Sequence, residues 1–232
     1  MSNQTTVDDN ESLRALIEVL EEKKRQLRET ILSWATRNPP RYPWRQRGET
    51  PCEVFIGEFW LRETSPPVAV RVYHRFVQRF LSIMDLAEAQ ENGIMQIVPG
   101  FQLRANARHM RLVAERLLEQ GKGDLPKDSE SLARASGLEH HHISAAICFG
   151  FGQPVAVVDS HVGRMLLRVF TSSLPSRAPS GLLRAMAQTL VPDIDPQGYN
   201  SALLDVAGVI CRDEVPLCPE CPVVELCDYA RI

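Results

Sequence analysis

The strongest constraint on this chain lies near its end. Cys211, Cys218, Cys221 and Cys227 fall within 17 residues, separated by six, two and five others. Four thiols that close suit a structural zinc ion or an iron–sulfur cluster. Zinc sites usually pair two short knuckles, and Cys218-Pro219-Glu220-Cys221 is the single one here, which weighs toward a cluster. A disulfide framework is not expected, because the first ten residues are polar and acidic and form no secretory leader. Cys52 and Cys148 lie in apolar surroundings and read as buried free thiols.

The rest of the chain has a helical rhythm. Leu13, Leu16, Ile17, Leu20, Leu27, Ile31 and Leu32 recur at helical spacing and predict a long helix over 12–35. After the turn at Asn38-Pro39-Pro40, further helices are expected at 51–63, 66–82, 85–90, 105–120, 129–135, 142–150, 159–170, 180–191 and 198–210, each bounded by Gly, Pro, Asp or Ser. No period-2 pattern stands out. Val155 to Val158 could pass for a strand, but the run sits between a Gly-Gln-Pro turn and Asp159, a helix N-cap candidate. The expectation is an all-α protein of about ten short helices behind a disordered tail at 1–10. No stretch approaches the roughly 18 apolar residues of a membrane span, so a cytoplasmic protein without membrane contact is expected.

Charge alone argues against a nucleic-acid partner. The net charge is -3 and both ends are acidic, while residues 41–210 hold 18 basic against 17 acidic groups. Local basic clusters can still reach phosphates, so the functional argument rests on motifs.

Three motifs point the same way. The 6-2-5 cysteine spacing resembles that of the endonuclease III and MutY glycosylases, which bind a [4Fe-4S] cluster with it. Ala135-Ser136-Gly137-Leu138-Glu139-His140-His141-His142, followed by Gly152-Gln153-Pro154 and Val158-Asp159-Ser160-His161-Val162-Gly163-Arg164, resembles the hairpin and aspartate segment of the helix-hairpin-helix (HhH-GPD) DNA glycosylases. Its second half matches closely, whereas Glu139 stands where the hairpin's second glycine belongs. Tyr42-Pro43-Trp44-Arg45 and Thr50-Pro51-Cys52-Glu53 through Thr64 resemble a MutY-type front segment. On a helical wheel Glu58 falls between Val54 and Phe55, inside the apolar arc, where a carboxylate is costly without a purpose or a partner.

The resemblance covers about residues 31–229 and carries specific implications. The fold would be all-α, with two helical lobes, a DNA groove between them, a helix-hairpin-helix motif and a C-terminal [4Fe-4S] loop. One lobe would be 51–165; the other would join 11–50 to 166–232. Double-stranded DNA carrying a mismatched or damaged base would be the partner of a monomeric protein, with that base flipped out. Asp159 would stabilise positive charge on the sugar as the base–sugar bond breaks; capping its own helix is the bland alternative, and both can hold. Glu58 would face Asp159 and serve as general acid to the departing base; the alternative is a glutamate paired with a buried arginine. Gly137, His141, His142, Arg104 and Arg108, with Asn106, are candidate DNA contacts. Bifunctional relatives carry a lysine 18 residues before the aspartate; here that position is His141, so hydrolysis without strand cleavage is expected. Leu61-Arg62-Glu63-Thr64, and an end soon after the cysteines where MutY enzymes carry a further domain, favour T or U opposite G. Adenine opposite 8-oxoguanine, an altered base, and a non-catalytic iron–sulfur DNA-binding protein remain as alternatives.

Overall fold

The computed structural model describes residues 5–46, 48–98, 100–119, 125–173 and 178–231, without the side chains of 5–20 and 101. Among these residues the regular structure is entirely helical. Eleven α-helices run in order: α1 (Thr5–Arg37), α2 (Pro51–Glu63), α3 (Pro66–Val77), α4 (Ile83–Glu88), α5 (Glu91–Ile97), α6 (Phe101–Glu119), α7 (Ser129–Ser136), α8 (His140–Phe151), α9 (Ser160–Val169), α10 (Ser180–Leu190) and α11 (Pro196–Asp205). The apolar run Val155–Val158 forms no strand.

Two elements differ from expectation. Residues 5–10, expected as a disordered tail, belong to α1, while 1–4 lie outside the described residues. Asp8, Asp9 and Glu11 favour the start of a helix by complementing its dipole, and neither Gly nor Pro interrupts the chain before Pro39. Helix α5 is not legible in the sequence, because Asn92 and Gly93 are weak helix formers in a seven-residue segment.

The chain divides into two compact units, one of residues 1–38, 158–192 and 198–232, the other of 39–157 and 193–197. These boundaries are not those expected from sequence. Residues 39–50 join the 39–157 unit because Trp44 packs onto α2 and Tyr73 of α3. Residues 158–165 join the discontinuous unit because α9 packs against α10 and the turn before Cys211.

In the 39–157 unit, α2 is the central element. Thr50 and Glu53 form a reciprocal capping box at its start and Pro51 occupies its first turn. Seven consecutive residues beyond Glu53 are buried, so α2 is enclosed on all sides rather than amphipathic. Trp60 and Phe76 meet at 5.3 Å and Phe76 and Phe80 at 5.6 Å in its core.

In the discontinuous unit, α1 buries Leu27 and Ile31 completely. Arg28 of α1 donates to the carbonyls of Thr189 and Leu190 at the end of α10. Lys23 ties α1 to the C-terminal segment through Asp228 at 2.5 Å and to the end of α9 through the Val169 carbonyl at 2.6 Å. No helix among the described residues is long and apolar enough to cross a membrane.

Candidate active site

Glu58 lies in the buried arc of α2, 6% exposed. The short 3₁₀ turn Pro43–Arg45 delivers its partners. Arg45 donates through Nε to Oε1 at 2.6 Å and through Nη2 to Oε2 at 3.1 Å. Trp44 Nε1 donates to Oε1 at 3.0 Å. The pairing with a buried arginine, one of the two roles open to Glu58 from sequence, is therefore present. The Arg45 guanidinium lies 5.0 Å from the rings of both Tyr42 and Phe149, so aromatic faces shelter the ion pair and hold it rigid. Gly57 makes the arrangement possible: a Cβ there would lie 2.1 Å from two atoms of the Trp44 indole. Sequence reasoning did not single out Arg45 or Gly57; both sit in the quoted motifs, but neither their contact nor its closeness is written in the spacing.

Asp159 is the N-cap of α9, with Oδ1 accepting from the Val162 amide at 2.8 Å. The capping role is thus present, and Oδ2 is the oxygen it leaves over. Five and nine residues further on, Arg164 and Arg168 share one face of α9 and reach the cysteine loop. Arg164 donates to the carbonyls of Ala207 and Cys211. Arg168 approaches Cys211 Sγ at 3.4 Å and donates to the carbonyls of Arg212 and Asp213. Helix α9 thereby carries the aspartate at its head and anchors the loop along its side, a link that sequence reasoning missed. Only the i, i+4 repeat of arginines hinted at it.

Cys211, Cys218, Cys221 and Cys227 line one cavity together with Arg168, Tyr229 and apolar side chains such as Met165, Val169 and Val223. A single π-turn over Val206–Ile210 precedes the first of them, a local unwinding common at functional sites. Burial pushes the Cys221 thiol up to about 11, with the neighbouring cysteines adding to the effect; burial raises Cys227 too. Among the described residues, no three His, Cys, Asp or Glu side chains are disposed to hold one metal ion. Cys52 and Cys148 are buried, as expected.

The hairpin joins α7 to α8. Gly137 ends α7 in the left-handed region at φ 64°, a conformation that favours glycine. Ser136 caps the turn: its hydroxyl donates to Leu132 O and accepts from the Leu138 amide. The candidate DNA contacts separate into two groups. His141 and Arg104 are at least partly exposed, and Arg108 is exposed but paired with Glu91 at 2.5 Å. His142 and Asn106 are buried, 3% and 7% exposed, and are not in a position to meet a phosphate. Helix α8 begins at His140 rather than 142, which turns His142 into the core beside the His141 ring, 3.9 Å away. Burial, with smaller contributions from His141 and Arg62, lowers His142 to about 3.

No family model matches the chain. An adenine DNA glycosylase from Homo sapiens is 29% identical over 210 residues, covering 86% of this chain and 38% of its own length. The chain spans between 38% and 57% of the adenine glycosylases that it matches. A thymine-DNA glycosylase from Aeropyrum pernix is 28% identical over 193 residues, covering 81% of this chain and 86% of the relative. The solved structure of a thermostable thymine-DNA glycosylase superposes with a TM-score of 0.81 at 24% identity, over 91% of this chain and 98% of that one, a likeness of fold. In its motifs, its relatives and its all-helical architecture, the chain is similar to the helix-hairpin-helix (HhH-GPD) superfamily of DNA glycosylases.

Proposed function

We propose that the protein hydrolyses the N-glycosidic bond of a flipped-out, mismatched base in duplex DNA, thymine or uracil opposite guanine, and leaves an abasic site. The observation that carries the reading is Asp159, fixed by its own cap at the head of α9 with Oδ2 to spare. As the C1′–N bond breaks, its electron pair leaves with the base and positive charge builds on the sugar, which a fixed carboxylate stabilises. Water then adds to C1′ and gives up a proton to the Asp159 carboxylate, which passes it to solvent. The departing base needs a proton in turn. Glu58 Oε1 already accepts two bonds from Trp44 and Arg45, donors that do not give up their protons. Oε2, with one such bond, is the oxygen suited to carry a proton to the base. The pairing amends the plain general-acid role: Arg45 and Trp44 fix the carboxyl's orientation. His141 stands where a lysine would attack the sugar, and imidazole is a poor Schiff-base former, so no lyase step is proposed.

The four cysteines fit a [4Fe-4S] cluster. They surround a common apolar cavity with the Arg168 guanidinium beside one sulfur, which complements the negative charge of thiolate ligands. Such a cluster would cross-link 211–227 without taking part in hydrolysis.

Asp159→Asn is the direct test, because asparagine caps a helix as well as aspartate does but carries no charge. In a single-turnover assay on duplexes with T·G, U·G, A·8-oxoguanine and A·G, wild type should yield alkali-dependent cleavage of T·G or U·G. The variant should fold normally and lose the activity. Cleavage of an adenine duplex would move the substrate to adenine, and cleavage without alkali would refute the monofunctional reading. Binding without cleavage of any duplex would favour an altered base or a non-catalytic DNA-binding protein.

A further inference from the structure

The side chain of Glu139 does not cap its own helix. It reaches instead to α2, where Oε1 accepts from Arg62 Nη2 at 2.6 Å. Its other oxygen lies 3.9 Å from His141 Nδ1. Arg62 is also 3.7 Å from Glu63, and a Cβ at Gly137 would lie 3.8 Å from the Arg116 guanidinium. Two arginines, Arg62 and Arg116, thus lie near the hairpin, and the carboxylate at its tip belongs to the protein itself. Both members of the pair are accessible: the Arg62 side chain is 34% exposed and that of Glu139 62%. An exposed ion pair is weak, worth less than about tenfold in an equilibrium, so an incoming phosphate can displace it.

We propose that Glu139 and Arg62 form an electrostatic latch on the hairpin, in which Glu139 occupies Arg62 until a DNA phosphate takes its place. The proposal rests on the reading of duplex DNA as the ligand. The latch sets how strongly the protein holds DNA of any sequence. A glycine at 139 would leave Arg62 with only the longer approach to Glu63 at 3.7 Å and so more open to phosphate. With Glu139, each binding event must first break the pair, and each release is assisted by its return. The latch thus trades affinity for faster departure from non-target DNA.

The test measures binding of an undamaged duplex by fluorescence anisotropy over a salt series, for wild type, Glu139→Gln, Arg62→Gln and the double variant. Both substituted positions are accessible, and the melting curves of the three variants should match wild type. Glu139→Gln should tighten binding about three- to tenfold at low salt and steepen the log–log salt slope by about one, the mark of one more phosphate contact. The gain should vanish when Arg62 is also Gln, since it is Arg62 that the substitution releases. No tightening would overturn the latch. So would a gain that survives in the Arg62→Gln background, which would mean that Glu139 merely repels phosphate. A wild-type protein that binds no duplex at low salt would overturn the DNA reading itself, and the latch with it.

Discussion

Replacing a mid-helix glycine with alanine ordinarily stabilises a helix by up to about 1 kcal/mol; at Gly57 the sign should reverse. The new methyl carbon would lie 2.1 Å from Trp44 Cγ and Cδ2 and 2.7 Å from Trp44 Cβ. No shift of a few tenths of an ångström relieves such contacts, and the indole has little room to retreat. It is fully buried, stacked 5.0 Å from Tyr42 and tilted 4.9 Å from Tyr73. Overpacking of this kind costs about 1–3 kcal/mol. A displaced indole also withdraws its bond from buried Glu58, adding about 1–3 kcal/mol. After crediting the helix propensity, Gly57→Ala should lose about 1–5 kcal/mol. Urea denaturation followed by circular dichroism and tryptophan emission, at matched cofactor content, measures it directly. Gly93→Ala in α5 is the control, since a Cβ there meets nothing within 4 Å; it should be neutral or stabilising by up to about 1 kcal/mol. A Gly57→Ala midpoint at or above that of wild type would refute the reasoning, for it would mean that Trp44 does not fill its slot as described and does not hold Glu58.

The remaining expectations concern charge and cofactor. Arg45→Met should cost about 3–5 kcal/mol by stranding a buried carboxylate, and adding Glu58→Leu should recover most of it, because the pair lies only 4% and 8% exposed; a mild effect of Arg45→Met alone on the melting temperature would argue against a desolvated pair. His142 sits at about 3 in the fold against 6.5 as a free side chain. Its depressed value makes the unfolded chain the better proton binder, so its contribution is complete above pH 7 and is lost as pH falls from 6.5 toward 3. At full effect the loss is about 1.4 kcal/mol per unit, and His142→Leu should flatten the fall in melting temperature between pH 7 and 5; an unchanged profile would count against a buried neutral imidazole. Metal analysis of protein purified without oxygen should return about four iron atoms and four sulfides per chain with a brown colour, lost in Cys221→Ser. A colourless protein holding one zinc would assign the cysteines to zinc instead.

What the sequence could and could not disclose follows from the range of its signals. Glu58 was legible as an anomaly, because a charge inside an apolar arc is visible from helical periodicity alone. Its arginine was not, although Arg45 lies in a quoted motif, because the contact depends on a 3₁₀ turn folding back thirteen residues onto α2. Asp159 was legible as both cap and candidate carboxylate because capping is local. The link from its helix through Arg164 to the Cys211 carbonyl spans 47 residues and is written in no local pattern. The misplacement of His142 is the most instructive. His142 was read as a candidate DNA contact beside His141, yet Ile143 to Phe149 are all buried, and the third position of the helix turns inward with them while His140 and His141 stay at least partly exposed. The cost appears as an imidazole with Nε2 unbonded and a proton affinity pushed down by burial. Glu139 is the converse case. Read locally it only spoils a glycine hairpin, whereas the fold brings Arg62 to it from 77 residues away. A residue that looks like decay in one motif thus meets its counterpart in another, and whether the pair restrains DNA binding is decided by the salt dependence of the Glu139→Gln variant.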